Sequence, residues 1–198
     1  LDQILALAGD NPERNNIGPV GVYQRDTTNA RPGYLSLKKW EADSGSRCRL
    51  VATTALFDQA AEFMGYARYK NEPWIFSSVS AAAGDRLAVL LKGKNVADRV
   101  IATQSVPPLV SPLPIVMEAR KALANNLNTI SLESFIVGRL FVAIMQAIDG
   151  PLTRENFLKA ARAQPYDIGG VKVDFTTDNQ GSDYVGLTFL RDGRFVPA

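Results

Sequence analysis

"WIFSSVSAAAGDRLAVLLKGKNVADRVIATQS", Trp74 to Ser105, sets two apolar, β-prone runs on either side of a segment with helical period. The pattern predicts a short strand over Trp74 to Ser77 and a helix over Ala83 to Leu91. A second strand follows over Arg99 to Ser105, running into Pro107-Pro108. Strand, helix and strand in that order argue for a βαβ unit. The crossover must bury its apolar stripe against the sheet, so the strands it joins lie parallel and helices flank the sheet.

Upstream, the same alternation continues. Ala60 to Tyr69 has a helical pattern, and Arg49 to Leu56 reads as a strand. In Gly33 to Asp43 the residues Tyr34, Leu37, Trp40 and Glu41 repeat at helical spacing, stopped by Ser44-Gly45. Ile17 to Tyr23 (IGPVGVY) is apolar enough for a further strand, with Pro19 confined to an edge, a bulge or the first position. Downstream the chain is more helical. Leu113 to Ala124 is one expected helix and Ser131 to Ile148 the longest, with Leu132, Phe135, Ile136, Leu140, Ala143, Ile144 and Ala147 along one face. Gly150-Pro151 ends that helix, and Thr153 stands where the N-cap of another should be, running to about Ala163. Gly170 to Phe175, Tyr184 to Leu190 and Arg194 to Val196 read as strands, the last two joined by the hairpin signal Asp192-Gly193. The fold class is therefore α/β, with residues 1–106 forming one lobe and residues 107–198 supplying helices and a terminal hairpin that complete the lobes and a hinge.

Composition narrows the chemistry. The chain has 198 residues, 46% of them hydrophobic, enough for a core of its own. Lys and Arg total 22 against 20 Asp and Glu, with no basic or acidic run of five, so no nucleic-acid footprint is expected. Cys48 is the one cysteine and histidine is absent, which removes intramolecular disulfides, Cys/His metal sites and imidazole-based catalysis. Phosphate-cradling and dinucleotide glycine loops are missing, as is Gly-x-Ser-x-Gly, so no cofactor is expected. Ser36-Leu37-Lys38-Lys39 matches Ser-x-x-Lys, but nothing that should accompany a catalytic serine follows it, and these read as solvated helix positions. The carboxylate pairs Glu41/Asp43, Asp174/Asp178 and Asp178/Asp183 lie in turns or at element ends, where capping of backbone groups is the expected role. Cys48 reads as a small hydrophobe beside a strand. No apolar stretch approaches the roughly 20 residues of a membrane span.

From Ser131 onward the order of segments is specific. "SLESFIVGRLFVAIMQAIDGPLTRENFLKAARAQPYDIGGVKVDFTTDNQGSDYVGLTFLRDGRF" resembles the carboxy-terminal portion of type I periplasmic solute-binding proteins, the leucine/isoleucine/valine-binding kind that feed ABC transporters. The resemblance rests on Ser131 to Phe135, Leu152 to Glu155, the Ile168 to Gly170 turn and the Gln180 to Asp183 turn before a final hairpin. It extends upstream through "VYQRDTTNARPGYLSLKKW", "WIFSSVSAAAGDRLAVLL" and "VIATQSVP". It implies two three-layer αβα lobes joined by a three-segment hinge, a solute held between them, a periplasmic address and a membrane permease as partner. It implies binding without turnover. A receptor's sensor domain on the same fold, or a small α/β enzyme, stands as the alternative. The resemblance also implies a missing amino-terminal lobe and, between Leu56 and Ala60, a missing helix and strand where only Phe57, Asp58 and Gln59 intervene.

Ligands of open α/β sheets sit at the carboxyl ends of strands, which singles out the loops after each one. Thr27, Thr28, Ser78, Ser80 and Gln104 are the candidate ligand-binding residues, offering hydroxyls and amides, with Asp26 beside them. Amino-acid binders of the family place an acidic residue at about Ser80 and an aromatic at about Thr28. Neither is present here. Burying an ammonium without a carboxylate partner costs several kcal/mol, so the resemblance favours an organic acid, an amide or another neutral metabolite unless Asp26 turns inward.

Overall fold

A computed structural model of the chain describes residues 17–23, 27–80 and 84–198. The chain divides into two compact units. The first takes residues through Ala102 and then Phe189–Val196; the second takes Thr103–Thr188 and the last two residues. The polypeptide passes from one to the other three times, at Ala102–Thr103, Thr188–Phe189 and Val196–Pro197.

In the first unit, helix α1 (Arg31–Ser44) begins with Pro32 in its first turn, where a missing N–H costs nothing, and ends at Gly45 in the left-handed region, φ 67°. Strand β1 (Leu50–Thr53) leads through α2 (Phe57–Tyr69) into β2 (Ile75–Ser78), and β2 leads through α3 (Asp85–Gly93) into β3 (Val100–Gln104). All three strands are parallel, with Val51 level with Phe76 and Phe76 level with Val100. This apolar row belongs to the same core as Ala60, Ala61 and Met64 of α2 and Leu87, Ala88 and Leu91 of α3. On the opposite face Leu50 and Ile75, also level with each other, are 56% and 39% exposed. Strands β6 (Gly186–Arg191) and β7 (Arg194–Pro197) complete the sheet in the order β1-β2-β3-β6-β7. They are joined by Asp192 and Gly193 at φ 49° and 73°, the paired left-handed conformation that a two-residue hairpin turn requires.

The second unit is mainly helical. Helix α4 (Pro114–Leu123) runs through a 3-10 turn at Ala124–Asn126 into α5 (Thr129–Gln146), and α6 (Arg154–Ala163) follows. A capping box opens α5, with Asn128 Oδ1 accepting from Ser131 N and Ser131 Oγ accepting from Asn128 N. Thr153 caps α6 as expected, its Oγ1 accepting from Asn156 N at 3.2 Å. A two-residue ladder, β4 (Tyr166–Asp167) with β5 (Lys172–Val173), turns at Gly169, where a Cβ would lie 2.8 Å from Ile115 N. Leu132, Ile136 and Ile144 of α5 pack with Ile115, Val116 and Ala119 of α4 and Ala160 and Ala161 of α6.

The structure corrects several expectations. Ile17 to Tyr23 forms no strand: Val20 and Val22 are 53% and 74% exposed, and a would-be Cβ at Gly18 sits 3.3 Å from the Trp40 ring of α1. The segment lies along a helix and has no strand to pair with. Strand β4 was not expected, being only two residues beside a helix end. Helix α5, 18 residues at hydropathy 1.4, is long and apolar enough to cross a membrane by length and composition, despite Glu133 and Arg139 within it.

Candidate functional site

Parallel strands present their carboxyl ends along one edge of a sheet, and here that edge carries the expected polar residues. Thr53 and Ser78, the last residues of β1 and β2, are partners in register; Ser78 is also level with Ala102, two residues before Gln104 closes β3. Ser78 is 1% exposed and its Oγ has no hydrogen-bond partner. Gln104, which belongs to the second unit, is 8% exposed, and its Oε1 is likewise buried and unpartnered. A buried polar atom left unpaired costs about 1–3 kcal/mol. Thr53 Oγ1, by contrast, accepts from Ala55 N at 3.1 Å and so turns the chain toward α2.

The other candidates are less concentrated. Ser80 is half-buried in the turn after β2. Thr27 is half-buried and Thr28 exposed, both in the segment before α1 and in no strand. Asp26 lies outside the described residues. A concavity of about 530 Å³ in the second unit is lined by Leu123, Asn128, Ile130, Ser131, Ser134 and Phe135. Its polar groups Asn128 and Ser131 are already committed to the capping box. Another, of about 350 Å³, lies in the first unit between Lys92, Asn95 and the β6–β7 turn. Neither is lined by a candidate residue.

Sequence reasoning missed the densest polar cluster, which sits before the strands rather than after them. Tyr34, Lys38 and Glu41 follow one another at i, i+4 and i+7 on α1, a spacing that places them on one helix face. Tyr34 donates its hydroxyl to Glu72 Oε1 at 2.7 Å, Lys38 pairs with both Glu41 and Glu72, and Glu41 Oε1 accepts from Cys48 N at 2.8 Å. Trp74, fully buried, packs its ring against Tyr34 and Phe63. Burial and the hydrogen bond to Glu72 push the Tyr34 hydroxyl up to about 12. Burial alone would raise Glu41, but the Lys38 ammonium, the Cys48 N–H and Trp74 outweigh it and hold the carboxyl below the usual carboxylate range. The Lys38 ammonium is held above its ordinary value, chiefly by Glu41. Burial, then the charges of Glu41 and Glu72, lift the Cys48 thiol to about 11, which removes thiolate reactivity at neutral pH. Lys38 is thus not simply a solvated position, and Glu41 both caps a backbone N–H, that of Cys48, as its sequence context suggests, and joins an ion-pair network. Both carboxylates, Glu41 and Glu72, take donors within it.

Of the remaining carboxylates, Asp43 pairs with Lys39 and Asp183 accepts from Gln180 Nε2, while Asp174 and Asp178 cap turns. Asp174 Oδ1 accepts from Thr176 N and Oγ1, and Asp178 Oδ1 from Gln180 N. Among the described residues no group of three acidic or cysteine side chains is placed to hold a metal ion.

No family model matches the chain, and no curated protein matches its sequence. Solved structures do. A possible leucine/isoleucine/valine-binding protein from Rhodopirellula baltica superposes with a TM-score of 0.78 at 26% identity, over 90% of this chain and 49% of that one. A substrate-binding periplasmic protein from Ralstonia solanacearum gives a TM-score of 0.72 at 21% identity, covering 89% of this chain and 51% of its own. A branched chain amino acid ABC transporter protein from Thermus thermophilus, with bound valine, gives 0.65 at 16% identity, covering 83% and 48%. The chain spans about half the length of the structures it matches. The mostly parallel sheet flanked by helices, the ordered segments from Ser131 to Phe195 and these superpositions agree: the chain has the fold of the type I periplasmic binding proteins.

Proposed function

We propose that this chain is part of the solute-binding protein of an ABC-type importer. It acts in the periplasm, binds a small organic metabolite in a cleft between lobes and delivers it to a membrane permease. The observation that carries the reading is the superposition on a possible leucine/isoleucine/valine-binding protein at 26% identity across 90% of the chain. Two features of the chain itself support it. Ser78 Oγ and Gln104 Oε1 are buried without partners at strand ends where ligands of such sheets bind. Histidine and cofactor-binding loops are absent, which leaves binding rather than turnover as the fitting activity. Function then follows from differential affinity: a solute that contacts both lobes favours the closed form, and the permease reads that form.

The ligand class follows from what is missing. With serine at position 80 and threonine at position 28, the candidate residues offer hydroxyls and amides, and Asp26 is adjacent to Thr27 in the sequence. An organic acid, an amide or a neutral metabolite fits better than a zwitterion. Calorimetric titration of the protein with small carboxylic acids, amides, leucine and valine tests this. The expected result is saturable heat from an acid or amide, weakened at least tenfold in Ser78→Ala and Gln104→Leu. Tight leucine or valine binding that survives Asp26→Asn would overturn the ligand class, and no saturable binding of any of these would overturn the function.

A further inference from the structure

We draw no further inference here: the strongest candidate, the exposed apolar face of α5 at Ile130 and Val137 in the second unit, carries nothing because nothing in the structure shows what covers it.

Discussion

The two units bury their apolar residues by different means. In the first, a sheet supplies rows of side chains that helices can cover, and Trp74, Phe76, Met64, Leu87 and Leu91 are all fully buried. Aromatic rings interlock within it, Phe63 meeting Phe76 edge-on at 6.1 Å, and an ion-pair network links Lys38 to Glu41 and Glu72. In the second, three amphipathic helices share a two-residue ladder. Its core is chiefly aliphatic, and Ile130, Val137 and Phe141 of α5 stay 58%, 57% and 52% exposed. Helices packed on one another cover a stripe of each, whereas a sheet accepts a continuous layer. Each unit still leaves apolar side chains uncovered, Leu50 and Ile75 on the far face of the first unit's sheet and Ile130 and Val137 on α5.

The largest expected effect that could break this contrast comes from the two core centres. Trp74→Ala should cost about 3–5 kcal/mol, and Leu132→Ala in the second unit about 2–3 kcal/mol because a loosely enclosed helix can collapse toward the gap. Both tryptophans lie in the first unit, so urea unfolding followed by Trp40 emission reads Trp74→Ala, while far-ultraviolet circular dichroism reads Leu132→Ala. Equal losses would erase the distinction between the cores.

Next in size are the carboxylates of the network. Glu72→Gln should cost about 1–3 kcal/mol, since it strips Lys38 of one partner and weakens the acceptor for Tyr34. Glu41 sharpens the point through pH. Its folded-state value is depressed, so its contribution is present above the ordinary carboxylate value and lost as pH falls through the lower, folded one. A series of urea midpoints from neutral to acid pH should therefore fall less steeply for Glu41→Gln than for the parent. Parallel curves would mean that the network carries no stability.

Tyr34→Phe should cost about 0.5–1.5 kcal/mol at neutral pH. With its hydroxyl raised from 10.0 to about 12, the parent keeps this contribution in full below pH 10 and loses it as pH climbs toward 12. The alkaline limb of the stability curve should be flatter in the variant. Smallest of all is Lys39→Ala: its pair with Asp43 is exposed at both ends, and thermal melts should not distinguish it from the parent, whereas Lys38→Ala one residue away should melt visibly earlier.

Much of the first unit was legible because its elements carry local signals. The β1-α2-β2-α3-β3 run follows from alternating periods punctuated by Gly, Pro and Asn, and the Thr153 cap and Asp192-Gly193 turn follow from backbone chemistry confined to a few residues. Ile17 to Tyr23 misled because β-propensity describes fit to a half-buried pleated surface, and this segment has no neighbouring strand to make one. The pairing of β4 with β5 depends on the Gly169 turn closing against Ile115, a contact between residues far apart in the chain. Sequence reasoning proposed Ser78 and Gln104 through the rule that strand ends bind ligands, yet their burial and lack of partners needed coordinates. The Tyr34, Lys38 and Glu41 spacing was visible on α1, but its meaning depended on Glu72 and Cys48, which only the fold brings near.

The threefold passage of the chain between units has a consequence for biosynthesis. Residues 103–188 are continuous, so the second unit has nearly its whole sequence available as soon as Thr188 has been translated. The first unit must wait: β6 lies beside β3, and Phe189–Val196 are made only after residues 103–188. During translation the edge of β3 stays open while everything after it is being polymerised, and a ribosome that stalls before Phe189 leaves an incomplete sheet whose free strand edge invites aggregation.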